Sequence, residues 1–324
     1  MKEQTKLLLT LLEQGKSCNE ICDTLHISNR QLYNNLTNIK NKGFLFSRKY
    51  TSKGDILYQS TNYIPEEDNT IKLDEQYIKI LVISDLHFGN EKENLDRINK
   101  VFDYCIKNNI HTIFCCGDFI DGTYSQGIQT IKNFYEQVDY FIKNYPFDKN
   151  ILTFGVGGDH DLSGITHCGQ NFLEAIYNYR HDCIIPSFNN SVVNIKNINI
   201  LLHHRNPKDD IPNNFNINLF GHSHKFTVRH DENGVFMVKI PSISDINVYQ
   251  YNVLPSALEL ELTFEKDILK LIQFNHLYFG DKNYLLSELS YEIPSTKKKK
   301  FEDYETNQTG SQVDKFVKRL NKAK

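Results

Sequence analysis

Five times along this chain a short apolar run ends in aspartate or histidine, and this recurrence limits the fold more than any other feature of the sequence. Ile80–Ser84 leads into Asp85-Leu86-His87, and Ile113–Cys116 into Gly117-Asp118. Ile151–Val156 leads into Gly157-Gly158-Asp159-His160-Asp161, Ile198–Leu202 into His203-His204, and Leu219-Phe220 into Gly221-His222-Ser223-His224. Short apolar runs alternating with helix-length stretches such as Leu95–Asn108, Ile128–Lys143 and Phe172–Tyr179 predict an α/β domain. Strands of an open sheet deliver the residues that follow them to one carboxyl edge. Five loops far apart in sequence are therefore expected to meet.

What would gather there is a mixed carboxylate and imidazole set. Hard carboxylate oxygens with borderline imidazole nitrogens suit Mn²⁺, Fe or Zn²⁺, and the absence of thiolate argues against a structural zinc knot. One ion takes about four such ligands, so this set is large enough for two. A pair of cations ~3.5–4 Å apart can clamp a phosphoryl group and activate a water. The glycines beside these residues allow a sharp turn or a close backbone approach.

The series D-x-H, G-D, G-(N/D)-H-D, a strand-end His, then G-H-x-H resembles the calcineurin-like metallophosphoesterase family, and the match spans about Tyr77 to Ser244. The resemblance implies a two-sheet α/β sandwich flanked by helices, with two divalent or transition metal ions, Mn²⁺ first. It implies that Asp85, His87 and His224 bind one metal, that Asp118 bridges, and that Asp159, His203 and His222 bind the other. His160 would stand unliganded near the scissile phosphate, to protonate the leaving oxygen or stabilise charge, with Asp161 orienting it. A bridging hydroxide would attack phosphorus in line. The family usually has Asn where this chain has Asp159, which adds a negative charge. His204 competes with His203, which is preferred because it directly follows the strand. Asp121 is a candidate acceptor behind the ligands or a loop cap. Arg205 and Lys225 are candidate phosphate contacts, and His167 lies close enough in sequence to reach the cleft.

The ends differ from this body. Residues 1–60 carry 9 Lys/Arg against 5 Asp/Glu, and 295–324 carry 9 against 4, while 61–294 carry 19 against 31. Basic ends on an acidic body suggest contact with something anionic. Leu7, Leu8, Leu11 and Leu12 recur at helical spacing, and Ser17 with Glu20 and Ser28 with Gln31 make capping-box patterns. Two β-like runs, Phe44–Tyr50 and Ile56–Ser60, follow. Three short helices and a hairpin predict a winged helix-turn-helix over 1–60. Its third helix would present Arg30, Gln31, Asn34, Asn35 and Lys40 to nucleic acid, and its wing would bring Arg48, Lys49 and Lys53 to phosphates. The same module can serve as a protein docking face. Residues 61–76 read as a polar linker, 77–293 as the phosphoesterase, and 294–324 as a basic flexible tail with a candidate helix over 313–320.

The opening MKEQTKLLLTLLEQGKS reads as a helix, not a secretory signal. Seven cysteines without a regular framework point to free thiols and a cytoplasmic protein. No apolar run is long enough for a membrane span. The substrate expectation is a nucleic acid, DNA above all, cleaved by a nuclease or phosphodiesterase. Two alternatives stand beside it. One is a small-molecule or phosphoprotein phosphoesterase with the winged helix for docking. The other is a non-enzymatic DNA-binding regulator with a structural metal site.

Overall fold

The computed structural model describes residues 3–40, 44–51, 55–61, 70–72, 75–124, 128–205, 216–231, 234–246 and 254–293. The N-terminal part contains α1 (Glu3–Glu13), α2 (Cys18–Leu25) and α3 (Asn29–Lys40), then the hairpin β1 (Leu45–Thr51) and β2 (Ile56–Thr61). The capping box at α2 is formed: Ser17 accepts from the Glu20 backbone N–H, and Glu20 accepts from that of Ser17. A short strand β3 (Thr70–Lys72) lies within the expected linker. The body runs β4 (Tyr77–Ile83), α4 (Leu95–Lys107), β5 (Thr112–Cys115), α5 (Phe134–Asn144), β6 (Leu152–Gly155), α6 (Asp159–Cys168), α7 (Phe172–Tyr179) and β7 (Cys183–Ile184). It continues with β8 (Asn190–Ile195), β9 (Ile198–His203), β10 (Ile217–Phe220), β11 (Thr227–His230), β12 (Phe236–Lys239), β13 (Ser256–Glu265), β14 (Ile268–Phe279) and β15 (Asn283–Glu292).

These strands form two sheets, ordered β15-β14-β13-β4-β5-β6-β7 and β11-β12-β10-β9-β8-β3-β1-β2. Alternation along β4 shows why they stack. Ile78, Ile80 and Val82 face a core shared with residues of the other sheet such as Ile200, Leu202 and Leu219. Leu81 and Ile83 face a second core with Phe102 of α4 and Phe141 of α5. Side chains on a strand point alternately to opposite faces, so a strand apolar on both sides must be covered twice. The two-sheet α/β arrangement with flanking helices expected from the sequence is present.

Three features differ from the sequence reading. The helix expected over 128–143 begins at Phe134, where Asn133 accepts from the Tyr135 and Glu136 backbone N–H groups. The stretch after β6, expected as loop, is the helix α6. The hairpin does not stand free as a wing: β1 pairs parallel with β3, which pairs parallel with β8, so the larger sheet runs unbroken into the N-terminal part. Side chains reinforce that junction. Tyr33 of α3 stacks on His181 with centroids 4.0 Å apart, and Arg48 lies over the Tyr177 ring of α7 at 4.6 Å. The expected phosphate contact at Arg48 is thereby corrected, because its side chain is buried. Arg30, Gln31 and Asn34 are exposed, and Asn35 and Lys49 are half-buried. Lys53, the Lys40 side chain and the whole tail from 294 lie outside the described residues. All seven cysteines are free thiols, and no helix among the described residues is long and apolar enough to cross a membrane.

Candidate metal centre

The loop after β4 and the loop after β5 are zipped together by backbone bonds. Asp85 N–H donates to Gly117 O at 3.0 Å, and the Leu86 and His87 N–H groups donate to Asp118 O at 2.9 and 3.0 Å. After β6, Gly158 closes on Asp118 so tightly that a Cβ there would collide with Asp118 Oδ1. Asp159 then opens α6, and the His160 N–H donates to Asp118 Oδ1 at 3.0 Å. Acidic side chains in a first helical turn suit the partial positive charge there. From the other sheet, the ends of β9 and β10 bring His204, His222 and His224. Asp85, His87, Asp118, His222 and His224 all hold left-handed backbone, with φ between 52° and 62°. Such residues cost of order 1–3 kcal/mol each and persist only where the surroundings over-determine them. Strain of this kind, gathered on donor residues, marks the site.

Three donor groups converge: Asp85 with His87 and His224, His87 with Asp118 and His160, and Asp118 with His204 and His222. His224 Nε2 lies 3.3 Å from Asp85 Oδ1, and His87 Nε2 lies 4.0 Å from Asp85 Oδ1 and 3.9 Å from Asp118 Oδ2. His204 Nε2 lies 2.9 Å from Asp118 Oδ2, without the alignment of a hydrogen bond. His204, rather than His203, therefore occupies the position beside Asp118. His203 is the last residue of β9 and stacks instead on Phe220, with centroids 6.0 Å apart. Ile200 and Leu202 face the inter-sheet core, so the odd-numbered His203 points the other way, and His204 returns inward.

The outer edges of three imidazoles are tied down. His204 Nδ1 donates to Cys116 O at 2.8 Å, His224 Nδ1 to Ile246 O at 3.0 Å, and His160 Nδ1 to Asp121 O at 2.6 Å. A carbonyl can only accept, so each Nδ1 carries the proton and each Nε2 keeps its lone pair unless the ring is fully protonated. His87 Nδ1 lies 3.4 Å from Asp121 Oδ1. That carboxylate is itself held by Asn90 Nδ2 at 3.0 Å and Gln129 Nε2 at 2.8 Å. Asp121 thus faces His87 at ion-pair distance, and no hydrogen bond joins them. A ligand imidazole commonly has its far nitrogen fixed, as those of His204 and His224 are.

Asp161 does not orient His160. It is wholly buried, and its oxygens accept from the backbone N–H groups of Phe119 (3.2 Å), Ile120 (3.0 Å) and Gly158 (2.7 Å). The sequence expectation is corrected: Asp161 ties the Asp118 loop to the start of α6, and the Asp121 carbonyl holds His160. Asp159 stands at the rim. Its Oδ2 accepts from Arg205 Nε and lies 3.6 Å from His222 Nδ1. His167 pairs with Thr123 and packs against Tyr124, outside the lining of the cleft. Lys225, next to His224, is half-buried.

The electrostatics fit a cation site. Burial opposes the Asp118 charge, but His204, His160 and His87 outweigh it and hold the carboxyl far below its usual range. Burial likewise opposes the Asp85 charge, and His224 and His204 hold it low. Burial pulls His204 down, yet Asp118 and Asp85 keep it up at about 10. Burial, and then the Asp118 charge, push Asp161 up to about 7. Asp85 Oδ1 and the Nε2 atoms of His87 and His204 are buried without a hydrogen-bond partner. Buried polar atoms without partners are costly, and atoms of this kind within groups of metal-ligating side chains are what bound cations would satisfy. A small open cleft lies beside them, lined by His87, Asp118, Asp121, His160, His222, His224 and Ile246.

Residues 78–293 match a family model described as calcineurin-like phosphoesterase. No curated protein matches the chain. Among solved structures, similar ones include YfcE, a phosphoesterase from E. coli, at 13% identity over 65% of this chain and 98% of that one, with a TM-score of 0.41. Vacuolar Protein Sorting 29 from Cryptosporidium parvum is similar at 18% identity over 67% and 99%, with a TM-score of 0.40. Likeness of this degree carries nothing about substrate or partners.

Proposed function

Since the chain belongs to the calcineurin-like phosphoesterase family, we propose that it hydrolyses a phosphate ester in this cleft with two divalent cations, and that the ester belongs to a nucleic acid. The observation that carries the first part is the set of buried, unpartnered Asp85 Oδ1, His87 Nε2 and His204 Nε2 atoms, the last on an imidazole whose Nδ1 is held by Cys116 O. Asp85, His87 and His224 would hold one cation. Asp118, His204 and His222, with Asp159 at the rim, would hold the other. Mn²⁺ suits this oxygen and nitrogen set, as do Fe and Zn²⁺. Bound there, the two cations supply Lewis acidity toward the phosphoryl group and a water acidic enough to attack near neutral pH.

The chain's own residues do the rest. His160, with Nδ1 committed to Asp121 O, can present only Nε2 to a substrate. In its protonated form it gives the Nε2 proton to the departing oxygen. Asp161 keeps the His160 backbone in place through Gly158 and the Asp118 loop. Support for a nucleic acid is narrower. It consists of the basic composition of 1–60 and the exposed Arg30, Gln31 and Asn34 on α3, since Arg48 is committed to Tyr177. The same surface would serve a protein partner.

The test is a substrate panel with Mn²⁺: single- and double-stranded DNA, a cyclic nucleotide, a phosphopeptide and an aryl phosphate diester. DNA cleavage should exceed the others and fall by about 10²–10⁴ in His160→Ala. Turnover of aryl esters without DNA cleavage would remove the nucleic acid from the proposal. No turnover of any ester by metal-loaded protein would remove the enzyme.

A further inference from the structure

We propose that Arg205 is the substrate-anion receptor of this site, held at the mouth of the cleft by Asp159. The proposal rests on the phosphoesterase reading above. Arg205 directly follows His204, whose ring is buried against Asp118, so its backbone is anchored one residue from the centre. Its Nε donates to Asp159 Oδ2, and that same oxygen lies 3.6 Å from His222, a wall of the cleft. One bond thus holds the guanidinium beside Asp159, next to His222 but outside the residues that line the cleft, with the side chain 65% exposed.

A guanidinium carries five N–H groups in one plane. Using Nε for Asp159 leaves the Nη1 and Nη2 hydrogens, which have no partner among the described residues. That remaining fork matches two oxygens of a phosphate in a way that the point charge of a lysine does not. Charge supplies a second reason. Asp159 adds a carboxylate to a rim already backed by Asp85 and Asp118, and an incoming anionic ester would be repelled by it. Arg205 cancels that charge where the ester enters and offers a positive edge instead.

The experiment uses the full chain loaded with Mn²⁺, with inorganic phosphate as probe. Phosphate binding is measured by calorimetry and metal content by mass spectrometry in wild type, Arg205→Gln and Arg205→Lys. Arg205→Gln should keep its Mn²⁺ and bind phosphate about 10- to 100-fold more weakly, the worth of a charge-assisted pair. Arg205→Lys should recover part of the loss. With an ester that is turned over, KM should rise more than kcat falls. Three results would overturn the proposal: wild type that binds no phosphate, Arg205→Gln that binds it as wild type does, or a variant that loses Mn²⁺ along with phosphate, which would reduce Arg205 to a support for Asp159. Arg205-dependent phosphate binding by a wild type that cleaves no ester would uphold the receptor and remove the phosphoesterase reading.

Discussion

Replacing Asp161 separates a structural carboxylate from one that steers the His160 imidazole. Its Oδ2 accepts from the Gly158 and Phe119 N–H groups and its Oδ1 from that of Ile120. Asp161→Ala strands all three donors in the interior. Asp161→Asn, with its oxygen turned toward Gly158 and Phe119, keeps two and sets an amide N–H₂ against the Ile120 N–H. Both variants remove a charge that burial pushes up to about 7, so the difference between them cancels that contribution. What remains is two buried donors satisfied in one variant and orphaned in the other. At ~1–2 kcal/mol per donor, two restored donors less the amide N–H₂ left facing the Ile120 N–H should make Asp161→Ala less stable than Asp161→Asn by about 1–2 kcal/mol. Urea unfolding at pH 7 in the presence of chelator reads this as a shift in midpoint at constant m. Two variants within about 0.5 kcal/mol of each other would refute the reasoning, an interval well below the worth of a single orphaned donor. So would a fully stable Asp161→Ala that has lost only activity, for then the carboxylate would serve His160 after all.

His204→Asn should lose Mn²⁺ uptake and the accompanying rise in Tm, while His203→Asn keeps both; thermal unfolding with and without Mn²⁺ distinguishes them, and the reverse pattern would restore His203 as the donor beside Asp118. Arg48→Ala should cost roughly 0.5–2 kcal/mol through the lost contact with Tyr177 and leave DNA affinity unchanged; a gel-shift loss at full stability would return Arg48 to the phosphate contacts. Burial pushes His276 down to about 4, so the unfolded chain binds its proton more readily between that value and about 6.5. Its contribution is complete above that window and is lost as pH falls through it; for a half-buried ring this is about 1–2 kcal/mol, and His276→Asn should flatten the acid side of the stability profile by that amount.

The strands that position the site are legible because each is a short apolar run cut off by a residue that cannot extend it into the core. β4, β5, β6, β9 and β10 all read this way. α6 is not legible, because Asp159, His160 and Asp161 are indifferent helix formers and follow two glycines. Their acidic character is nonetheless what a first helical turn favours. Alternation alone points to His204, since Ile200 and Leu202 set the inward parity of β9, whereas nearness to the strand favours His203. Arg48 misleads because charge suggests exposure, although it pairs across the hairpin with the buried Tyr58. The role of Asp161 is beyond reach from sequence, because two of its partners are backbone groups some forty positions away.

The continuity of the larger sheet through β3 into β1 has a practical bearing on dissection of the protein. Removing residues 1–60 would not detach an appendage; it would strip two strands and leave β3 with a raw margin of backbone donors and acceptors. Such margins recruit other chains. A shortened protein should therefore clump or pair with itself, and size-exclusion profiles of the truncated and intact forms will show whether the first sixty residues act as a hem that keeps the fabric from fraying.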